Sequence, residues 1–196
     1  MAGPAELTAA QAAAMFARRV SPARALAADA DAIALTCRAM ASRFERGGRL
    51  VVFGDGDSDC DAAHVVVEFV HPVIVGKRAL PALALPGPDL TTQIELFAEP
   101  RDIALGVSTG PGDGQVADAL RVARGAGLLT VGLFGGGSAP GIQTGPGADS
   151  EPAEHLFVVA STDPLVVKEV QVTTYHLLWE LVHVFAEWAD RSGVAR

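Results

Sequence analysis

The chain has 196 residues, 49% of them hydrophobic and 19% charged, a balance that suits one compact globule with a full core and excludes a disordered chain. Its formal net charge of −8 disfavours nonspecific binding to nucleic-acid phosphates. Two cysteines, Cys37 and Cys60, are too few for a disulfide framework and match no zinc spacing, and no apolar run reaches the roughly 18 residues that span a bilayer. A cytoplasmic protein with neither a membrane nor a nucleic-acid partner is expected.

The first twenty residues are Ala-rich with Arg18 and Arg19 near their end. The charge follows the apolar part instead of preceding it, contrary to a secretory signal, so an amphipathic helix is expected. Ser21-Pro22 has the pattern of an N-cap and first helical position, opening a helix to about Arg46 that Gly47-Gly48 ends. Along it Leu26, Ala30, Ile33, Cys37, Met40 and Phe44 alternate spacings of four and three, a seam for the chain's own sheet or for the helix of another subunit. Next come strands at 50–54, 81–86, 102–108, 128–134 and 155–160, with helices after the first, near 89–98, and from about 114 to 126. The strands are continuous apolar runs, as in a parallel sheet covered on both faces, so the fold class is α/β, doubly wound, with about five strands. Ligands in such sheets bind beyond the carboxyl ends of the strands, where the Gly-rich turns 54–58 and 108–114 fall. Residues 135–150, rich in glycine and proline, read as a loop. From Pro164 to about Arg191 one long helix is expected, capped by Asp163 and followed by Gly193, with Val166, Val170, Leu177, Leu181 and Val184 on its apolar face. The chain thus reads as a single domain: a helical extension over about 1–46, an α/β core over about 49–160, and a C-terminal helix over about 164–191.

In the helix after the first strand, Asp61, His64, Glu68 and His71 fall on one face among Ala, Val and Phe. His64 and Glu68 are one turn apart and can share a proton, a metal or a substrate, or simply form a buried hydrogen bond with a packing role. Gly54-x-Gly56 is not a dinucleotide fingerprint, because Asp59 stands where the third glycine belongs. Asp55, Asp57, Asp59 and Asp61 imitate the start of a calcium loop, but Cys60 and Val66 occupy the positions that need Gly and Glu.

The run GDGDSDCDAAHVVVEF resembles the first active-site segment of the sedoheptulose-7-phosphate (phosphoheptose) isomerases, built on the sugar isomerase (SIS) domain, where a strand leads into Gly-Asn-Gly-Gly-Ser and a helix bearing His and, four residues on, Glu. This chain keeps Gly54, Gly56, Ser58, His64 and Glu68, with Asp55 in place of Asn and Asp57 in place of Gly. The resemblance implies a three-layer, flavodoxin-like sandwich with a five-stranded parallel sheet, whose terminal helices pack in the helical bundle of a homotetramer. It implies ketose–aldose isomerisation of a sugar phosphate, with Glu68 as base and His176, matched through LVVKEVQVTTYHLLWELV, as its partner. Some family members hold zinc with the first-helix His and Glu and with a Gln and a His eight residues apart on the last helix. That set maps to His64, Glu68 and His176, with Lys168 in the Gln position. Protonated lysine has no lone pair and repels a dication, so it is expected to pair with Glu68, to meet an anionic ligand or to be solvated.

The phosphate cradle departs further. Where the family has Ser-Thr-Ser-Gly-Asn-Ser, this chain reads Ser108-Thr109-Gly110-Pro111-Gly112-Asp113. Two hydroxyls are lost, Pro111 removes an N–H donor, and Asp113 adds charge or caps a helix. With Asp55, Asp57 and Asp113 about 5 Å from a dianion at an effective dielectric of about 20, each unit-charge repulsion costs about 3 kcal/mol, roughly a hundredfold in affinity. Lys77 and Arg78 compensate if they reach the cradle. Three readings stand: an isomerase whose substrate-binding residues are Gly54, Asp55, Gly56, Ser58, Ser108, Thr109 and Asp113, with Ser58, Ser108 and Thr109 on the phosphate; a noncatalytic SIS module that binds a ligand or partner; and a site where the aspartates hold a nonphosphorylated or cationic ligand or a hard metal.

Overall fold

A computed structural model describes residues 8–112, 114–136, 141–144 and 151–192. The elements run α1 (Ala9–Ala27), α2 (Ala30–Glu45), β1 (Leu50–Gly54), a 3₁₀ turn (Gly56–Ser58), α3 (Asp59–Val70), β2 (Ala82–Ala84), α4 (Leu90–Phe97), β3 (Ile103–Val107), α5 (Gln115–Gly125), β4 (Leu129–Phe134), β5 (Gly141–Thr144), β6 (His155–Val158) and α6 (Pro164–Ser192). Among the described residues no helix is long and apolar enough to cross a membrane.

Helix α1 starts where Thr8 and Gln11 cap each other: the Thr8 hydroxyl accepts the Gln11 N–H and the Gln11 side chain accepts the Thr8 N–H. Ser21-Pro22 is therefore not a helix start. Pro22 is buried inside α1, and the break comes at Ala28 and Asp29. A proline forfeits one backbone bond, a loss that packing offsets here: Leu26, one turn on, is buried against Val166, Val167 and Val170 of α6. The remaining seam stays within the subunit, for Cys37, Met40 and Phe44 are buried with sheet residues and with Tyr175, Leu178 and Trp179 of α6.

Five parallel strands lie in the order β2-β1-β3-β4-β6. The expected loop over 135–150 contains a sixth strand, β5, antiparallel to β6 at the sheet edge. Its pairing rests on backbone groups meeting the open edge of β6, and nothing in the side-chain pattern of 141–144 signals it. Leu50, Val52, Leu105 and Val131 face α2, α3 and α6, whereas Val51, Phe53 and Ala104 face α4 and α5, so both sides of the sheet are covered. The chain leaves β1 for β2 on one side and reaches β3 on the other. The turns after β1 and β3 thus flank the crevice where ligands of such sheets bind.

Asp102, fully buried at the start of β3, ties that strand to β1. Its carboxylate accepts the Arg49 N–H at 2.8 Å, the Arg49 guanidinium at 2.8 Å and the Glu99 N–H at 3.0 Å. Burial acts to raise its pKa, but the hydrogen bonds and charge of Arg49, with the Glu99 N–H, outweigh it and hold Asp102 below the usual carboxylate range. A folded-state pKa below the unfolded one stabilises above the unfolded value, and that stabilisation disappears as pH falls through the folded pKa. Asp102→Asn is expected to cost about 2 kcal/mol in urea unfolding near pH 7, and the difference from wild type should shrink below about pH 4.

Candidate active site at the α3–α6 junction

Helix α3 leaves the 3₁₀ turn with Asp59 and Asp61 in its first turn, favourable charges at a helix N-terminus. It ends at Val70, so His71 is an exposed C-cap and drops out of the polar stripe. Asp61, His64 and Glu68 remain, and α6 lies across them.

Glu68 stands where the two helices meet, its side chain 14% exposed. Its Oε1 is 3.2 Å from His64 Nε2 and 3.8 Å from His176 Nε2. The imidazoles are set nearly edge to face with centroids 5.2 Å apart, and both remain open to solvent on one side. The structure therefore brings together the acid and imidazole that the sequence places more than half a chain apart. His64 Nδ1 lies 2.9 Å from the Tyr175 hydroxyl, a buried group that the sequence reading missed. Its signal was a phenol beside His176 in an apolar helix, since a buried hydroxyl requires a partner. Burial, then the charges of Asp61, Cys60 and Glu68, push the Tyr175 phenol up, so it keeps its proton.

One donor atom each from His64, Glu68 and His176 lie within 4.8 Å of one another, the one such metal-capable grouping among the described residues. Two imidazoles and a carboxylate are a known ligand set for a catalytic zinc with an open position, so these three residues fit the ion. Lys168 does not pair with Glu68. Its ammonium donates to Asp61 Oδ2 at 2.5 Å and to the Asp57 carbonyl at 2.7 Å, with Cys60 Sγ at 3.4 Å. Burial acts against the charged lysine, but the hydrogen bond and charge of Asp61 outweigh it and hold the Lys168 pKa above its ordinary value. Lys168 is thereby a clamp from α6 onto the first turn of α3, and its charge is met by Asp61.

At the crevice Ser108 Oγ donates to Asp55 Oδ2 at 3.1 Å and accepts the Gly110 N–H at 3.2 Å. Buried Gln171 of α6 holds this turn by donating to the Ser108 carbonyl at 2.7 Å and to the Leu133 carbonyl at 3.1 Å. Gly54 serves the backbone: a side chain there would meet the Ser58 carbonyl at 2.5 Å. Gly56, at φ 49, takes the left-handed turn that leads to Ser58. The Ser58 hydroxyl is buried with no hydrogen-bond partner among the described residues. Thr109 is half-buried at the rim, and Asp57 is exposed, lending only its carbonyl to Lys168. Asp113 lies outside the described residues, so its meeting with Asp55 and Asp57 is not described, and the N-cap of α5 is Gly114. Lys77 does not compensate the cradle: its ammonium pairs with Glu187 far along α6, and the neighbouring Arg78 carbonyl packs on His183 there.

No protein-family model matches the chain. The phosphoheptose isomerase of Solidesulfovibrio magneticus is 33% identical over 168 residues, covering 78% of this chain and 78% of its own. That of Crocosphaera subtropica is 32% identical over 185 residues, covering 81% and 89%. The solved phosphoheptose isomerase of Francisella tularensis matches with a TM-score of 0.71 at 23% identity, over 88% of this chain and 96% of that one, a likeness of fold. With a sugar isomerase domain sandwich and relatives of this identity along most of their length, the chain belongs to the phosphoheptose isomerase family.

Proposed function

We propose that this single-domain protein is a ketose–aldose isomerase of a heptose phosphate such as sedoheptulose 7-phosphate, with Glu68 and His176 transferring the protons. The observation that carries this reading is the approach of Glu68 Oε1 to both His64 and His176 across two helices. Glu68 takes the proton from the carbon beside the carbonyl, leaving an enediol, and returns it to the neighbouring carbon. His176 gives a proton to the carbonyl oxygen and recovers one from the adjacent hydroxyl, so both groups end as they began. Zinc, held by His64, Glu68 and His176, would polarise the substrate's oxygens and stabilise the charge that develops on them.

The hydroxyls of Ser58, Ser108 and Thr109, with the backbone of Gly54, Asp55 and Gly56, receive the phosphate. Apolar side chains left exposed on α1 and α6, Phe16 and Trp188 among them, support a homotetramer packed through these helices. A cytoplasmic enzyme fits a substrate of this kind.

A second reading has its own support. Asp55 accepts the Ser108 hydroxyl and places a carboxylate where the dianion belongs, which favours a noncatalytic SIS module with a degenerate cradle. Turnover separates the two.

Purified protein is expected to isomerise sedoheptulose 7-phosphate, and Glu68→Gln to lower kcat at least about a hundredfold with little change in thermal unfolding. A wild type that binds the sugar phosphate without converting it would replace the first reading by the second. Asp55→Asn removes one repulsion and keeps an acceptor for Ser108, so KM for the sugar phosphate should fall about tenfold or more; an unchanged KM would place Asp55 away from the phosphate.

A further inference from the structure

Both ring nitrogens of His64 are engaged, by neighbours that differ in kind. Glu68, as a carboxylate, only accepts, so His64 Nε2 must carry a proton to bond it. Nδ1 then presents a lone pair and needs a donor, and the Tyr175 hydroxyl stands 2.9 Å away. We infer that Tyr175 is a positioning residue of the isomerase site: its hydroxyl donates to His64 Nδ1, holds the imidazole in the Nε2–H tautomer and thereby orients Glu68 for proton transfer.

The surroundings leave this phenol little freedom. Its side chain is buried on the α2, α3 and α6 side of the sheet, and its ring meets His64 edge-on at 5.5 Å and His176 at 4.9 Å. One side chain thus touches both imidazoles that face Glu68 Oε1. A hydroxyl is also the partner that suits a site able to hold a cation. When Nε2 ligates an ion the proton resides on Nδ1, and the same hydroxyl accepts it by rotating, which a carbonyl or an N–H group cannot do in both states.

This inference rests on the isomerase reading for its catalytic consequence, but the tautomer can be read without substrate. Long-range ¹⁵N–¹H correlation spectra of the ligand-free, metal-free protein at about pH 8, assigned with His64→Gln, report which nitrogen carries the proton. The wild type should show His64 protonated at Nε2 and bare at Nδ1. Tyr175→Phe should show both tautomers in exchange while His176 is unmoved, with kcat about tenfold lower and KM within about twofold. A wild-type proton on Nδ1, or a Tyr175→Phe protein that keeps the Nε2–H tautomer, would overturn it. If the variant fails to fold by circular dichroism, the wild-type spectrum alone decides. A wild type without turnover defeats the isomerase reading and leaves the tautomer measurement standing.

Discussion

Helix α6 is fastened to the first turn of α3 by one charged side chain. Lys168 reaches Asp61 and the Asp57 carbonyl together, so the register between the helices is set where α3 begins. About two turns further on, that register decides which residues face each other, and Glu68 meets His64 and His176 there. A slip of one residue would swing Glu68 about 100° around its helix and out of reach of both rings. The pair is shielded enough from solvent for charge and hydrogen bonding to act strongly, since Asp61 is 7% and Lys168 29% exposed.

The same clamp explains how this chain accommodates a cation where some relatives of the resembled family carry a neutral ligand. A lysine aimed at Glu68 would compete with any metal and hold that carboxylate in an ion pair. Directed to Asp61, it leaves the donor atoms of His64, Glu68 and His176 converging without a charge between them. Both ends of the site therefore depend on α6: Gln171 anchors the Ser108 turn, while Tyr175 and His176 address the acid on α3.

The acidic cradle sets a different constraint. Asp55 takes the Ser108 hydroxyl, and Pro111 withholds a backbone donor, so an arriving phosphate meets fewer donors and more negative charge than the resembled motif offers. Ser58 is buried with a hydroxyl that has no partner among the described residues, and Gly54 and Gly56 serve the close approach and the left-handed turn beside it. The meeting of Glu68 with His64 and His176 belongs to α3 and α6, whereas the acidic group belongs to the turns after β1 and β3.

Local pattern alone carried the α/β alternation, the five parallel strands, and the stripe of His64 and Glu68, because hydrophobic periodicity and helix spacing are short-range consequences of chain geometry. The match of the motif with a known family supplied His176. What pattern could not supply were partnerships between distant groups. Pro22 sits inside α1 because a cap upstream and packing on α6 prevail over its local preference. β5 exists because β6 had an open edge. The Lys168–Asp61 clamp and the Tyr175–His64 bond join residues more than a hundred positions apart, and a sequence does not state which distant polar groups will share a desolvated space. The residues and their local conformations were written in the chain; their meeting required the packed sheet, which excludes water and leaves each buried polar atom to bond what the fold brings beside it.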